Sequence, residues 1–147
     1  HARTLDMTHD GRALAGEDLL AALDPADQAR LALALAGTDG IAFTLRFHLH
    51  PEVDASLEPG GRIISLALKS GEVWLFRQDG RAAMTLAPSV WLEPGRLRPR
   101  ATRQIVLSAL ARRPATRLRW SLAKAQDTPS ALRDLADSQG QEDDVHG

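Results

Sequence analysis

The segment IAFTLRFHLHP, residues Ile41 to Pro51, alternates apolar and polar side chains without a break. A period of two is typical of a β-strand with one buried face, because successive side chains point to opposite faces. The apolar side chains are therefore expected to face a core: Ile41, Phe43, Leu45, Phe47 and Leu49. The polar side chains must then share the opposite face: Thr44, Arg46, His48 and His50. That face is the first candidate for a functional surface.

The rest of the chain consists largely of short alternating segments separated by glycine-containing turns. A hairpin is predicted around Asp10 and Gly11, between strands over 3–7 and 12–14. Further strands are predicted over 53–57, 62–69, 72–77, 81–86, 89–92, 103–111 and 116–123. Strands at this spacing, without helices between them, predict an all-β fold, an antiparallel β-sandwich of two sheets built from short strands and hairpins.

One short helix or loop insertion is predicted near residues 25–36. Asp24 and Pro25 suit the N-cap and the first helical position, and Gly37 is placed to end the helix. A last turn or two of helix is predicted from 128 to 135, followed by a disordered tail. The expected organisation is thus a sandwich domain over 1–124 and a short helix with a disordered tail over 125–147.

Composition narrows the possible function classes. With 147 residues the chain is long enough for one domain with a real core. The near balance of 18 basic and 19 acidic residues argues against a nucleic-acid binder. No apolar stretch approaches the length of a membrane span, and the absence of cysteine excludes disulfides and thiolate ligands. Because the chain starts at His1 without a methionine, it is expected to be a piece of a longer protein.

His48 and His50 are candidate metal ligands, because side chains two residues apart on a strand point the same way. A third ligand would come from Glu52, Asp54 or His1. The alternative interpretation is that both histidines are polar residues on a solvated or inter-domain face.

Eight arginines lie between Arg96 and Arg119 with no acidic residue among them. Arg103, Arg117 and Arg119 are candidates to converge on a carboxylate or sulfate, as in an acidic polysaccharide. The alternative is a solvated strand face whose arginines pair with acidic residues elsewhere.

Trp120 is expected in the core, whereas Trp74 and Trp91 are either buried or platforms for sugar stacking. No nucleophile elbow and no phosphate-binding glycine loop is present, and the chain has no tyrosine.

Five segments resemble, in chain order, the C-terminal region of bacterial heparinase II/III-like proteins. They are HARTLDM, DGRALAGEDLL, FTLRFHLHP, SGEVWLFRQDG and TRQIVLSALA. The clearest pieces are GRALAGED, RFHLHP and TRQIVLS, and the resemblance runs from about His1 to Leu122. It implies a β-sandwich that follows a helical toroid in a polysaccharide lyase, a carbon-oxygen lyase that cleaves acidic polysaccharides by β-elimination. Most catalytic residues of such enzymes lie in the toroid, so this piece alone is expected to be inactive.

The resemblance also implies roles for particular residues. Arg46, His48 and His50 would line the substrate cleft or the junction with the N-terminal α/α-toroid of the same polypeptide. Arg103, Arg117 and Arg119 are secondary candidates for an acidic sugar. The resemblance implies no required cofactor, although some relatives imply a structural zinc at His48 and His50. It also implies a location in the periplasm or cell envelope. The alternatives are a non-catalytic carbohydrate-binding or structural sandwich module and a small metal-dependent enzyme.

Overall fold

A computed structural model describes residues 1–95 and 97–125. Within them the chain forms nine strands and one helix. In chain order these are β1 (Ala2–Met7), β2 (Ala13–Ala21), α1 (Pro25–Leu35), β3 (Ile41–His48), β4 (Asp54–Leu57), β5 (Ile63–Ala67), β6 (Val73–Gln78), β7 (Ala83–Trp91), β8 (Arg100–Ala111) and β9 (Ala115–Lys124). No helix among these residues is long and apolar enough to cross a membrane. The predicted C-terminal helix and tail, from residue 126 onward, lie outside the described residues.

The strands pair antiparallel in two sheets, which confirms the predicted sandwich. One sheet has six strands in the order β1-β2-β9-β6-β5-β4, and the other has three in the order β3-β8-β7. The core between them is built from side chains that alternate inward along each strand. Its most enclosed members are Ile64, Ile105, Leu107 and Leu118. Their burial removes apolar surface from water, which is the main favourable term in folding.

Strand β3 confirms the alternation of the Ile41 segment. Leu45 is buried in the core, and Phe43 and Phe47 pack against it. The strand ends at His48, however, and does not reach Pro51. The ladder stops because the chain turns at Pro51, where the backbone N–H of Val53 donates to the carbonyl of His50 at 3.0 Å. His50 therefore lies beyond the strand.

The predicted helix is present as α1. Its N-cap is Asp24, whose side chain accepts a hydrogen bond from the backbone N–H of Asp27 at 2.7 Å. Pro25 occupies the first turn, where its missing N–H is harmless. Gly37 follows the helix with φ 78°, a conformation that favours glycine. None of the helical residues is buried, so α1 lies on the surface of the sandwich.

Strand β7 departs from the prediction of two separate strands over 81–86 and 89–92. It is continuous from Ala83 to Trp91 and includes Pro88. Proline has no N–H to donate to a neighbouring strand, so within sheets it is found mainly on edge strands. Strand β7 is an edge strand of the three-stranded sheet, which is consistent with a proline inside it.

Strand β2 is longer than predicted, extending over Ala13–Ala21 rather than ending at Leu14. It lies between β1 and β9, so hydrogen bonds on both sides hold the segment that includes Glu17 and Asp18. The full length of this strand was not predicted because it contains two consecutive acidic residues, which are depleted in strands. The pairing places Asp18 on the inner face of the sandwich and Glu17 on the outer face.

Candidate functional site

Polar side chains gather on the outer face of the three-stranded sheet, at the end where β3 stops. His48 pairs with Gln104 on β8, and Gln104 pairs with Ala87 on β7. Ser89 and Trp91 continue the same face along β7, because they follow Ala87 at intervals of two residues. We call this group the His48 cluster: His48, His50, Ser89, Trp91 and Gln104.

Each histidine of the cluster contacts a different neighbour. His48 Nδ1 lies 2.7 Å from Ser89 Oγ. The His50 ring lies edge-on to Trp91 with centroids 5.0 Å apart, and His50 Nδ1 accepts a hydrogen bond from the backbone N–H of Glu52 at 3.2 Å. The two imidazoles therefore have different partners, Ser89 for His48 and Trp91 for His50.

This geometry bears on the predicted zinc. The carboxylate of Glu52, a candidate third ligand, is bound to Lys69 Nζ at 2.7 Å. Among the residues that the structure describes, no group of three or more histidine, aspartate or glutamate side chains is placed to hold a metal ion. His48 and His50 thus have no third ligand among these residues, and zinc at the two histidines stays a sequence-based prediction.

The His48–Ser89 pair brings an imidazole within hydrogen-bonding distance of a hydroxyl. Nucleophilic catalysis by such a pair needs a third group that orients the imidazole. Within the described part of the chain, His48 makes no other hydrogen bond. The described residues therefore supply the imidazole and the hydroxyl but no third group that orients the imidazole.

Two polar atoms of the cluster are enclosed but unsatisfied. Gln104 is only 9% exposed, and its Nε2 donates to the carbonyl of Pro88 at 3.0 Å. Its Oε1 and the Nε1 of Trp91 are buried and have no hydrogen-bond partner within residues 1–95 and 97–125. An unpaired buried donor or acceptor costs about 1–3 kcal/mol. One acceptor and one donor on the same face are thus unsatisfied by the described residues.

Glu52 places a negative charge at the edge of the His48 cluster. The hydrogen bond and charge of Lys69 lower the pKa of Glu52, and the nearby charges of His50 and Arg100 act in the same direction. Glu52 is thus held ionised beside His50. Arg46 lies two residues before His48 on β3 and makes no ion pair with any other residue that the structure describes.

The three arginines predicted to converge do not meet. Strands β8 and β9 belong to different sheets, so Arg103 is not a neighbour of Arg117 and Arg119. Arg103 Nη1 donates to the carbonyl of Ala55 at 2.7 Å, across the end of the sandwich. The prediction failed because two strands that follow each other in the chain were assumed to pair.

Arg117 and Arg119 lie on the outer face of the six-stranded sheet, where Glu17 binds both. The Nε atoms of Arg117 and Arg119 lie 3.2 and 2.8 Å from the two Glu17 oxygens. The hydrogen bond from Arg119 to Glu17 and the charge of Glu17 raise the pKa of Arg119 above its ordinary value. The alternative interpretation, paired arginines on a solvated face, describes this arrangement.

A second polar group, between the sheets, was not predicted from the sequence. The Asp18 carboxylate is fully buried and accepts hydrogen bonds from Arg3 Nε and Trp120 Nε1, both at 2.9 Å. His1 Nε2 lies 2.7 Å from the same carboxylate. We call these four residues the Asp18 cluster. The available signal was the alternation of Gly16 and Asp18 with Leu14, which puts all three on one face.

Close packing fixes the position of the Asp18 cluster. A Cβ atom added to Gly16 would lie 2.2 Å from the Trp120 ring, so the indole lies directly over this glycine. The Arg3 guanidinium is 5.0 Å from the centre of the Phe47 ring and 5.7 Å from that of Trp120. These contacts confirm that Trp120 belongs to the core. Trp74 and Trp91 are half-buried and lie in different sheets.

Residues 1–121 match the family described as heparinase II/III-like, C-terminal. The chain belongs to this heparinase II/III-like C-terminal family. The domain is also 34% identical over 129 residues to FtsZ-localized protein C of Caulobacter vibrioides (strain NA1000 / CB15N), which covers 86% of this chain and 21% of that protein. The heparinase II/III-like domain thus spans about a fifth of the curated relative that it matches. No solved structure matches the chain.

Proposed function

We propose that the chain is the C-terminal sandwich of a polysaccharide lyase that cleaves acidic polysaccharides by β-elimination. In this proposal it supports an N-terminal α/α-toroid of the same polypeptide and forms one wall of the substrate cleft. A periplasmic or cell-envelope location belongs to the same proposal. Family membership and the small share of the relative that the domain covers support its place in a longer protein.

The observation that carries the proposal is the pair of unsatisfied atoms in the His48 cluster. A second surface or a sugar that supplied a donor to Gln104 Oε1 and an acceptor to Trp91 Nε1 would remove the cost of leaving them unpaired. By contrast, Arg117 and Arg119 already share the Glu17 carboxylate as an ion-pair partner. The wall of the cleft is therefore assigned to the three-stranded sheet.

The chemistry of this wall suits an acidic sugar. His48 and Ser89 offer hydrogen bonds to hydroxyl groups, and Arg46 offers a guanidinium that no carboxylate in the described residues engages. Guanidinium groups bind carboxylates and sulfates with two parallel hydrogen bonds. In the proposal these residues bind and orient the polysaccharide, while proton abstraction takes place in the toroid.

The test uses the full-length polypeptide that contains this domain, assayed for unsaturated uronate release by ultraviolet absorbance. We expect turnover of an acidic polysaccharide and a loss of about tenfold in kcat/KM for His48→Ala, the scale of one lost polar contact to a charged ligand. His9→Ala is the matched control, because His9 is an exposed residue in the β1–β2 turn. The 147-residue chain alone is expected to be inactive.

A full-length protein that releases no unsaturated product from a panel of acidic polysaccharides contradicts the lyase proposal. Equal losses for His48→Ala and His9→Ala would contradict the assignment of the wall, even if the enzyme is active. The two failures are distinguishable because the first abolishes turnover in the parent and the second does not.

The second candidate function is a non-catalytic interaction module. It is favoured by the name of the relative, which describes a protein localised with FtsZ. A carbohydrate-binding version is less supported, because Trp74 and Trp91 lie in different sheets and do not form one flat aromatic face. Co-sedimentation of the 147-residue chain with FtsZ polymers, lost in His48→Ala, would favour this candidate over the lyase.

A further inference from the structure

A surface cavity of about 310 Å³ lies at one end of the sandwich, where the β8–β9 hairpin meets the turn between β6 and β7. Four of the nine residues that line it are arginines, and none is acidic: Arg81, Arg112, Arg113 and Arg117. We call it the arginine cavity. It is separate from the His48 cluster, with which it shares no residue.

Arg112 is held in place by the loop that precedes β3. Its Nε donates to the carbonyl of Asp39 at 2.7 Å. Gly40 has φ 148°, and a Cβ atom there would lie 3.0 Å from Arg112 Cγ and 3.0 Å from Leu110 Cβ. Glycine at position 40 therefore lets the loop lie close to Arg112, and the Asp39 carbonyl orients the guanidinium. The two terminal nitrogens of Arg112 remain available.

The other arginines keep most of their positive charge available. Arg113 has no hydrogen-bond or ion-pair partner in the described ranges 1–95 and 97–125. Arg81 Nε is 3.7 Å from Asp79, a distance typical of a weak surface ion pair. Arg117 is engaged by Glu17. The cavity therefore combines the oriented Arg112 with Arg113, which is unpaired within the described residues, and with the weakly paired Arg81.

We propose that the arginine cavity binds a small ligand that carries a phosphate group. Several guanidiniums around one cavity match a doubly charged oxyanion better than a single carboxylate. A phosphate monoester carries about −1.5 to −2 charge at pH 7 and three acceptor oxygens, so it can engage Arg112, Arg113 and Arg81 together. This inference stands independently of the proposed lyase function.

Isothermal titration of the 147-residue chain with inorganic phosphate and pyrophosphate, in a chloride buffer, tests the site. We expect saturable binding that Arg113→Gln weakens by at least about tenfold, the scale of lost hydrogen bonds to a charged group. Arg12→Gln is the matched control, since Arg12 is exposed in the β1–β2 turn at the opposite end of β9. Acetate is expected not to bind measurably.

Gly40→Ala separates an oriented site from general positive charge. It leaves the net charge unchanged and is expected to weaken phosphate binding because the added Cβ displaces Arg112. Far-ultraviolet circular dichroism checks folding, and Arg113→Gln decides the result if the glycine variant unfolds. Equal weakening by Arg12→Gln and Arg113→Gln overturns the proposal. Binding of an acidic polysaccharide but not of phosphate, dependent on Arg113, overturns it as well.

Discussion

The Asp18 cluster and the His48 cluster are both polar groups built around histidine and tryptophan, but they differ in completeness. Between the sheets, the Asp18 carboxylate is fully buried and receives three polar side chains. On the outer face, Gln104 Oε1 and Trp91 Nε1 are enclosed without any partner in the described part of the chain. A satisfied buried network rigidifies a fold, whereas an unsatisfied one is the place to look for a missing surface or ligand.

The largest effect on stability is expected from disrupting the Asp18 cluster. Asp18→Ala leaves the buried Trp120 Nε1 without an acceptor, which costs about 1–3 kcal/mol, and it also removes a charge-assisted hydrogen bond with Arg3, a bond of a kind that contributes about 1.5–3 kcal/mol. We expect a loss of about 3 kcal/mol or more in the free energy of unfolding, measured by urea denaturation. The control is Asp6→Ala, which removes an exposed carboxylate from β1. A loss below about 1 kcal/mol would show that the network contributes little.

In the His48 cluster, Gln104→Met is expected to change the free energy of unfolding much less. The variant removes an unpaired buried oxygen, which is favourable, and also removes the hydrogen bond to the Pro88 carbonyl, which is unfavourable. Because the two terms oppose each other, we expect a change within about 1 kcal/mol by the same measurement. Leu107→Ala, a core truncation on the same strand, is the reference at about 2–5 kcal/mol. A loss as large as this reference would make Gln104 a structural residue.

The smallest effect concerns the charged edge of the His48 cluster and depends on pH. Lys69 lowers the pKa of Glu52, so the folded carboxyl has a lower pKa than the unfolded one. Its contribution to stability is therefore present above the ordinary glutamate pKa of about 4.3 and is lost as the pH falls through the lower folded value. Lys69→Gln should lower the thermal midpoint slightly at pH 7 and not at all in acid.

Arg62→Gln is the control for this pH dependence, because Arg62 is exposed and makes no ion pair within the described residues. A difference between Lys69→Gln and the parent chain that persists unchanged into acid would show that the lysine acts through packing rather than through Glu52.

Local sequence patterns predicted the strands and the helix, because alternation and capping depend on residues close together in the chain. The alternation from Ile41 placed Leu45 in the core and Arg46 outside. Asp24, Pro25 and Gly37 predicted the ends of α1 to within two residues, because capping depends on hydrogen bonds a few residues apart. His48 and His50 were recognised as a candidate pair, but their partners Ser89 and Trp91 were not, because these lie on a strand that is distant in sequence.

The sequence by itself determined the alternating strands, the capped helix and the composition of the two faces of β3. Only the tertiary structure decided that β8 and β9 enter different sheets, which separates Arg103 from Arg117 and Arg119. It also decided that Asp18 is buried against Trp120, a residue 102 positions away. Period and capping are local properties of a chain, whereas strand pairing and the partner of a buried charge depend on which distant segments meet. The completeness of a polar cluster can therefore be judged only after folding.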